Sequence, residues 1–323
     1  MPLTVWTNTK FAEAATRRLA EGTRAHQLIQ SPFANASVLV EGRSDPRLCE
    51  ADIAFGQPAV EDCERGERLR WIEISTAGYT RYDRDDLREL LRARGTIVTN
   101  ASGVFAESCA QHVLAMMLAL GRQLPQSLHD QWQDRSWHYT ERRYHSRLLK
   151  GETVLLLGYG AIGRRLAELL TPFHLKIRAI RRQARSEREV RVLSIDQLSS
   201  ALAEADHIVN ILPENDATRG FVNARRLACV KPGARFYNVG RGPTVDQSAL
   251  LEALQSGRLG AAFLDVTEPE PLPPEHPLWT APNCFITPHT AGGRRDQDEA
   301  LVEHFLANLA AFDRGEPLTD RVI

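Results

Sequence analysis

The stretch Thr153-Val154-Leu155-Leu156-Leu157-Gly158-Tyr159-Gly160-Ala161-Ile162-Gly163 sets a short apolar run against three glycines spaced G-x-G-x-x-G. A run of that length ended by glycine reads as a buried strand, and residues 161–170 after it carry a helical pattern. A glycine turn between strand and helix N-terminus brings backbone amides against a pyrophosphate. One glycine makes the tight turn, one allows close approach, and one lets helix and strand pack. Glycine turns have other uses, so the fold reading rests on the rest of the chain beyond residue 170. Apolar runs recur at residues 177–181, 207–212, 234–239, 261–266 and 284–288, so with 153–158 six strands are expected. Helical patterns at 161–170, 195–203 and 246–255 fall between them, which predicts an α/β fold with a doubly wound parallel sheet of Rossmann type. Between the last two strands, Glu268-Pro269-Glu270-Pro271-Leu272-Pro273-Pro274 excludes a helix, because proline lacks an N–H and clashes with the preceding turn.

In such a sheet, ligands sit beyond the carboxyl ends of the strands. Three ionisable residues stand there: Arg241 after 234–239, Glu270 after 261–266, and His289 closing 284–288. A guanidinium binds a carboxylate bidentately and polarises a neighbouring carbonyl, although Arg241 also reads as a surface arginine. Among ten histidines, His289 is singled out because Glu270 can hold one ring nitrogen and leave the other to deliver a proton. Cofactor contacts are expected from Gly158, Gly160, Ala161, Ile162 and Gly163, and from Pro213, Val239 and Asp265 at later strand ends. Asp265 can accept from a nicotinamide carboxamide or simply cap its strand. An NAD site usually offers an acidic residue about 20 positions past the glycines. Here Arg181 and Arg182 stand in that place, which favours the 2′-phosphate of NADP, with NAD possible and a solvated basic strand end as the alternative.

The first hundred residues alternate less regularly, with strands expected at 4–7, 52–55 shifted toward 56, 71–75 and 97–100. They read as a smaller α/β domain. Its loop Ser75-Thr76-Ala77-Gly78-Tyr79 either grips an anion through the amides of Ala77 and Gly78 or is an ordinary turn. Residues 106–120 form a long apolar helix, and 123–150, rich in Trp, His, Tyr and Arg, is expected to be irregular and a dimer contact. The tail, 296–313, has apolar residues at helical spacing and is expected to pack back on the first domain. The boundaries expected are 1–100 plus 292–323 for the substrate domain and 101–291 for the dinucleotide-binding domain. Trp6, Gln57, Tyr79 and Trp279 are candidates for lining the substrate site.

With 323 residues, 43% hydrophobic, the chain can bury a core for about two domains. Forty basic against 41 acidic residues leave a net charge of -1, so neither nucleic acid nor an anionic membrane is expected as a partner. The five cysteines have no paired or metal-ligand spacing, so no metal is expected. No leader is read at the N-terminus and no apolar stretch is judged long enough to span a bilayer, so a cytoplasmic location is expected.

Gly158 to Gly163, Asn238-Val239-Gly240-Arg241-Gly242, Leu264-Asp265-Val266-Thr267-Glu268-Pro269-Glu270-Pro271 and Thr287-Pro288-His289 resemble, in order and spacing, the D-isomer-specific 2-hydroxyacid dehydrogenase family. The likeness is weakest in residues 1–70 and 123–150. It implies a Rossmann-type domain inserted in a smaller flavodoxin-like substrate domain, usually a homodimer, with Arg241, Glu270 and His289 as the catalytic triad. The expected substrate is a small 2-keto acid, reduced reversibly to a D-2-hydroxy acid, held by Ala77, Gly78, Arg241 and His289. Arginine at 181 resembles the NADP-using glyoxylate/hydroxypyruvate reductases of that family. The alternative is a binding protein that senses NAD(P)(H), like the family's co-repressor members.

Overall fold

Strands whose two faces are both covered by helices read as continuous apolar runs, and this chain builds two sheets of that kind. The structure, a computed structural model, describes residues 2–34, 42–181 and 190–323. The chain divides into a unit of residues 1–105 with 293–323 and a unit of residues 106–292.

The smaller unit holds β1 (Thr4–Thr7), β2 (Gln27–Gln30), β3 (Ile53–Gly56), β4 (Trp71–Ile74) and β5 (Ile97–Thr99) in the parallel order β2-β1-β3-β4-β5. This is the flavodoxin-like order. Successive side chains of a strand point to opposite faces. Val5, Phe55 and Trp71 therefore meet the tail helix Gln297–Asp313 on one face, while Trp6, Ala54 and Ile72 form a second core on the other. Phe305 of that tail helix stacks on Phe55 with ring centroids 4.2 Å apart. The tail helix thus belongs to the first unit. β2 escaped the sequence reading because it is an edge strand bounded by Gln27 and Gln30, with neither alternation nor an apolar run to mark it.

The larger unit holds β6 (Thr153–Leu157), β7 (Lys176–Ile180), β8 (Arg191–Leu193), β9 (His207–Asn210), β10 (Ala234–Asn238), β11 (Leu259–Leu264) and β12 (Cys284–Ile286). All pairs are parallel, in the order β12-β11-β10-β9-β6-β7-β8. Strand order reverses between β6 and β9, the switch point at which ligands bind in such sheets. The sheet has seven strands rather than the six expected. β8 completes the half-sheet beyond β7, and its three residues are too few to show a period. The glycines, Arg181, Pro213, Arg241, Asp265 and His289 all follow the carboxyl end of a strand, so chain direction alone puts them at one end of this sheet.

Two further expectations are corrected. Residues 123–150 contain the helices Leu124–Gln133 and Tyr139–His145, pinned together by Arg142, whose Nε and Nη2 donate to Asp130 at 2.8 and 2.9 Å. Leu124, Leu128 and Trp132 recur every four residues, a helical stripe that the polar residues around it obscured. The helix Ser102–Gly121 is, by length and composition, apolar enough to cross a membrane. In the fold its Ala110, Val113 and Met117 are fully buried, and Glu107 pairs with Arg165 of the helix after the glycine turn.

Candidate active site

The three glycines of the fingerprint each meet a different constraint. Gly158 has φ of 99°, which side chains resist; a Cβ on Gly160 would meet open space; and a Cβ on Gly163 would sit 3.0 Å from the Gly158 carbonyl. The helix Ala161–Leu170 starts at Gly160 without a side-chain cap, so its first amides are available to an anion. Tight turn, clear approach and close helix packing are what a dinucleotide requires of this loop. Arg181 is exposed at the end of β7, Pro213 is exposed beyond β9, and Val239 is buried after β10. Arg182 lies outside the described residues.

Arg241 is held by a buried polar network. Asn210 Nδ2 donates to Asn238 Oδ1 and to Thr244 Oγ1, and the Thr244 hydroxyl donates to the Arg241 carbonyl at 2.6 Å. The flanking glycines explain how the turn fits. A Cβ on Gly242 would lie 1.9 Å from the Thr267 carbonyl oxygen, and one on Gly240 would lie 2.7 Å from that of Leu212. The Arg241 turn therefore rests directly on the backbone that leads to Glu270. Burial lowers the Arg241 pKa, opposed first by the charge of Glu270.

The loop bearing Glu270 is fixed to the helix Gln247–Gln255 by a reciprocal pair of bonds: Gln247 Nε2 donates to the Glu268 carbonyl, and the Glu268 amide donates to Gln247 Oε1. The proline run itself forms no helix, in line with expectation, and only a 3-10 turn, Pro277–Thr280, precedes β12. Glu270 Oε2 lies 2.7 Å from His289 Nδ1, and Oε1 accepts from the Thr267 amide at 3.1 Å. Burial would push the Glu270 carboxyl up, yet the bond and charge of His289, the Thr267 amide and Arg241 together hold it below the usual carboxylate range. An ionised carboxylate only accepts, so Nδ1 carries the proton and Nε2 is left to hold or release another.

Asp265 is buried, and its oxygens are engaged by the segment that carries His289. Oδ1 accepts from Thr287 Oγ1 at 2.6 Å and from the Thr290 amide at 2.8 Å, and Oδ2 accepts from the Ala291 amide at 2.9 Å. A carboxylate offers about four acceptor sites, so three are spent inside the protein. Sequence reasoning missed Asn210, Thr244 and Thr287. The visible signal was a polar residue ending an apolar strand, but its partner lies across the sheet.

In the smaller unit, the amides of Ala77 and Gly78 have no acceptor among the described residues, while their carbonyls accept from Asn100 and Thr76. Of the lining candidates, Trp6 is corrected: it is 1% exposed in the core and donates to Asp45. Gln57 is also buried, with its amide on Ser75 and Thr76, whereas Tyr79 is partly buried and Trp279 exposed.

Comparison with known proteins bears on the family of the chain. The profile of the D-isomer specific 2-hydroxyacid dehydrogenase NAD binding domain matches residues 114–291. A glyoxylate reductase from Aeropyrum pernix is 32% identical over 268 residues, 79% of this chain and 77% of its own. A D-isomer specific 2-hydroxyacid dehydrogenase from Xanthobacter autotrophicus Py2, solved with NADPH and MES, superposes with a TM-score of 0.83 at 28% identity, covering 100% of this chain and 98% of the other. An NADPH-dependent glyoxylate/hydroxypyruvate reductase from Sinorhizobium meliloti, solved with NADP and malonate, gives a TM-score of 0.73 at 27% identity, covering 100% and 97%. With the profile spanning more than half of its length, through every strand end that carries the triad, the chain belongs to the D-isomer specific 2-hydroxyacid dehydrogenase family.

Proposed function

We propose that this protein reduces a small 2-keto acid of the glyoxylate/hydroxypyruvate type to the D-2-hydroxy acid, reversibly and with NADPH preferred over NADH. The observation that carries the reading is the 2.7 Å pair between Glu270 and His289 Nδ1, which fixes one tautomer, together with a half-buried arginine, Arg241, whose pKa burial lowers. When bound, the dinucleotide would supply a hydride from nicotinamide C4. Arg241 holds the carboxylate of the keto acid and polarises its carbonyl, and the amides of Ala77 and Gly78 supply further donors for that carboxylate. His289 releases the Nε2 proton to the carbonyl oxygen as the keto carbon gains hydride, and Glu270 steadies the imidazolium beforehand. Asp265 spends its last acceptor site on the carboxamide. Arg181 pairs with the 2′-phosphate that distinguishes NADP.

The deciding experiment compares NADPH and NADH oxidation on glyoxylate, hydroxypyruvate, pyruvate and phenylpyruvate. Faster turnover of a small acid with NADPH supports both parts. Preference for NADH overturns the cofactor assignment, and no turnover of any acid by cofactor-bound protein overturns the substrate class. Arg181→Asp should lower kcat/KM with NADPH and raise it with NADH. Gly78→Val should raise KM for the keto acid and leave that of the cofactor alone.

We also propose that the protein acts as a homodimer through residues 124–148. Trp132 and Trp137 are 78% and 90% exposed there, beside exposed Leu124, Leu128, Tyr144 and Leu148. Large apolar side chains left exposed along one segment support a protein contact there.

A further inference from the structure

His289 has φ of 54°, a conformation that residues other than glycine seldom hold unaided. Something must hold the short segment that carries it. Asp265 grips it at Thr287, Thr290 and Ala291. The helix Ser102–Gly121 grips it from another side. Ser108 Oγ donates to the Gly292 carbonyl at 2.9 Å, and His112 Nε2 lies 3.3 Å from Thr287 Oγ1. Ser108 and His112 are four residues apart and share one helix face. The two contacts fall at the two ends of residues 287–292.

Proton counting gives the direction of the His112 contact. Thr287 has one hydroxyl proton, and at 2.6 Å from an accepting carboxylate that proton is committed to Asp265. The oxygen facing His112 is therefore an acceptor, and Nε2 must carry the proton. The ring is itself steadied by Phe263 of β11, with centroids 5.1 Å apart and planes at 44°. Phe263 is two residues before Asp265, so the donor is braced by the strand that leads into the carboxylate fixing the Thr287 hydroxyl. His112 Nε2 is also 3.9 Å from Asp265 Oδ1, outside hydrogen-bond reach, so Thr287 is the link between them.

We propose that His112 is a positioning residue: through Thr287 and Asp265 it fixes residues 287–292 so that the His289 proton is delivered at the reacting oxygen, with Ser108 holding the far end. This rests on the reading of His289 as proton donor. It assigns the helix between the two halves of the chain a part in catalysis that neither its composition nor the triad indicates.

The test uses His112→Phe, which keeps an aromatic ring against Phe263 and removes the donor, and His112→Gln, which restores one. Thermal stability, kcat, cofactor KM and the solvent deuterium isotope effect on kcat are measured for each. His112→Phe should lose roughly tenfold to a hundredfold in kcat, the scale expected of a misplaced catalytic group. Its cofactor KM should hold, its solvent isotope effect should rise because proton delivery slows, and His112→Gln should recover most of the rate. Combined with Thr287→Val, His112→Phe should cost no more than the worse single change, since both break one link. An unchanged kcat and isotope effect in His112→Phe, or a double variant whose losses add, overturns the proposal. So does a rate loss that follows lost stability with the isotope effect unmoved. His289→Asn, run alongside, separates the two claims. If it stays fully active, the reading of His289 fails; if it is inactive while His112→Phe behaves as wild type, the positioning role alone fails.

Discussion

The role proposed for Arg241 calls for a guanidinium rather than any cation. Its surroundings are buried enough to push its pKa down, and a guanidinium stays charged under that pressure where an ammonium readily gives up its proton. Arg241→Lys should therefore reduce kcat/KM by roughly 10²-fold or more at neutral pH. The variant should regain part of that loss as the pH is lowered and the lysine recharges, which a pH series of initial rates would show. A wild-type rate, or a loss indifferent to pH, would mean that charge at 241 does not serve the reaction. The residues proposed as the triad were legible one by one because each follows an apolar run. Asn210, Thr244, Ser108 and His112 were not, because each acts through a partner distant in sequence. Trp6 misled for a related reason: an aromatic near a strand end looks available until the second core of the smaller unit closes over it.

At the scale of elements, the site depends on the Arg241 turn lying against the Glu270 loop with no side chain between them. Gly242→Ala would force a Cβ onto the Thr267 carbonyl and drive the two apart. Overpacking of this kind costs about 1–3 kcal/mol. The variant should melt several degrees lower and lose more activity than its stability explains, as thermal melts and kcat/KM together would reveal. In the smaller unit, His304 of the tail helix lies with Nδ1 2.7 Å from Glu73 of β4 and Nε2 3.2 Å from Asp320. Burial alone would push this imidazole down, but the two carboxylates outweigh it and raise it to about 9. The folded value is above the unfolded one of about 6.5, so the linked stability, on the order of 3 kcal/mol, is full below about pH 6.5. It is lost as pH rises through about 9. His304→Gln should be clearly less stable than wild type in mild acid and approach it in alkali; a difference independent of pH would show that the imidazole is neutral in the fold. The tail helix was readable from its spacing, but the ionic clamp on it was not, since Glu73 is an acidic residue inside an otherwise apolar strand and its partner His304 comes from the other end of the chain.

For the whole molecule, the exposed aromatics of residues 124–148 bear on assembly. Trp132→Ser combined with Trp137→Ser should convert a dimer into a monomer by sedimentation or light scattering, while the far-ultraviolet spectrum is kept. A wild-type protein that is already monomeric at micromolar concentration would refute the homodimer. The sequence by itself determined the parallel sheets and the glycine loop, and it marked the three residues proposed here as the triad. Those features follow from local rules: strand and helix periods, glycine at positive φ or at close approach, and the placing of ligands at carboxyl strand ends. The tertiary structure alone decided the edge strands β2 and β8, which carry too little apolar signal to be seen before a neighbour pairs with them. It alone decided that the segment at 124–148 is helical and exposed, and that Asp265 serves the His289 segment with most of its acceptor capacity. The physical reason is common to all of these: a hydrogen bond or an ion pair between residues far apart in the chain leaves no period in the sequence, and becomes determinate only when folding fixes the distance between them.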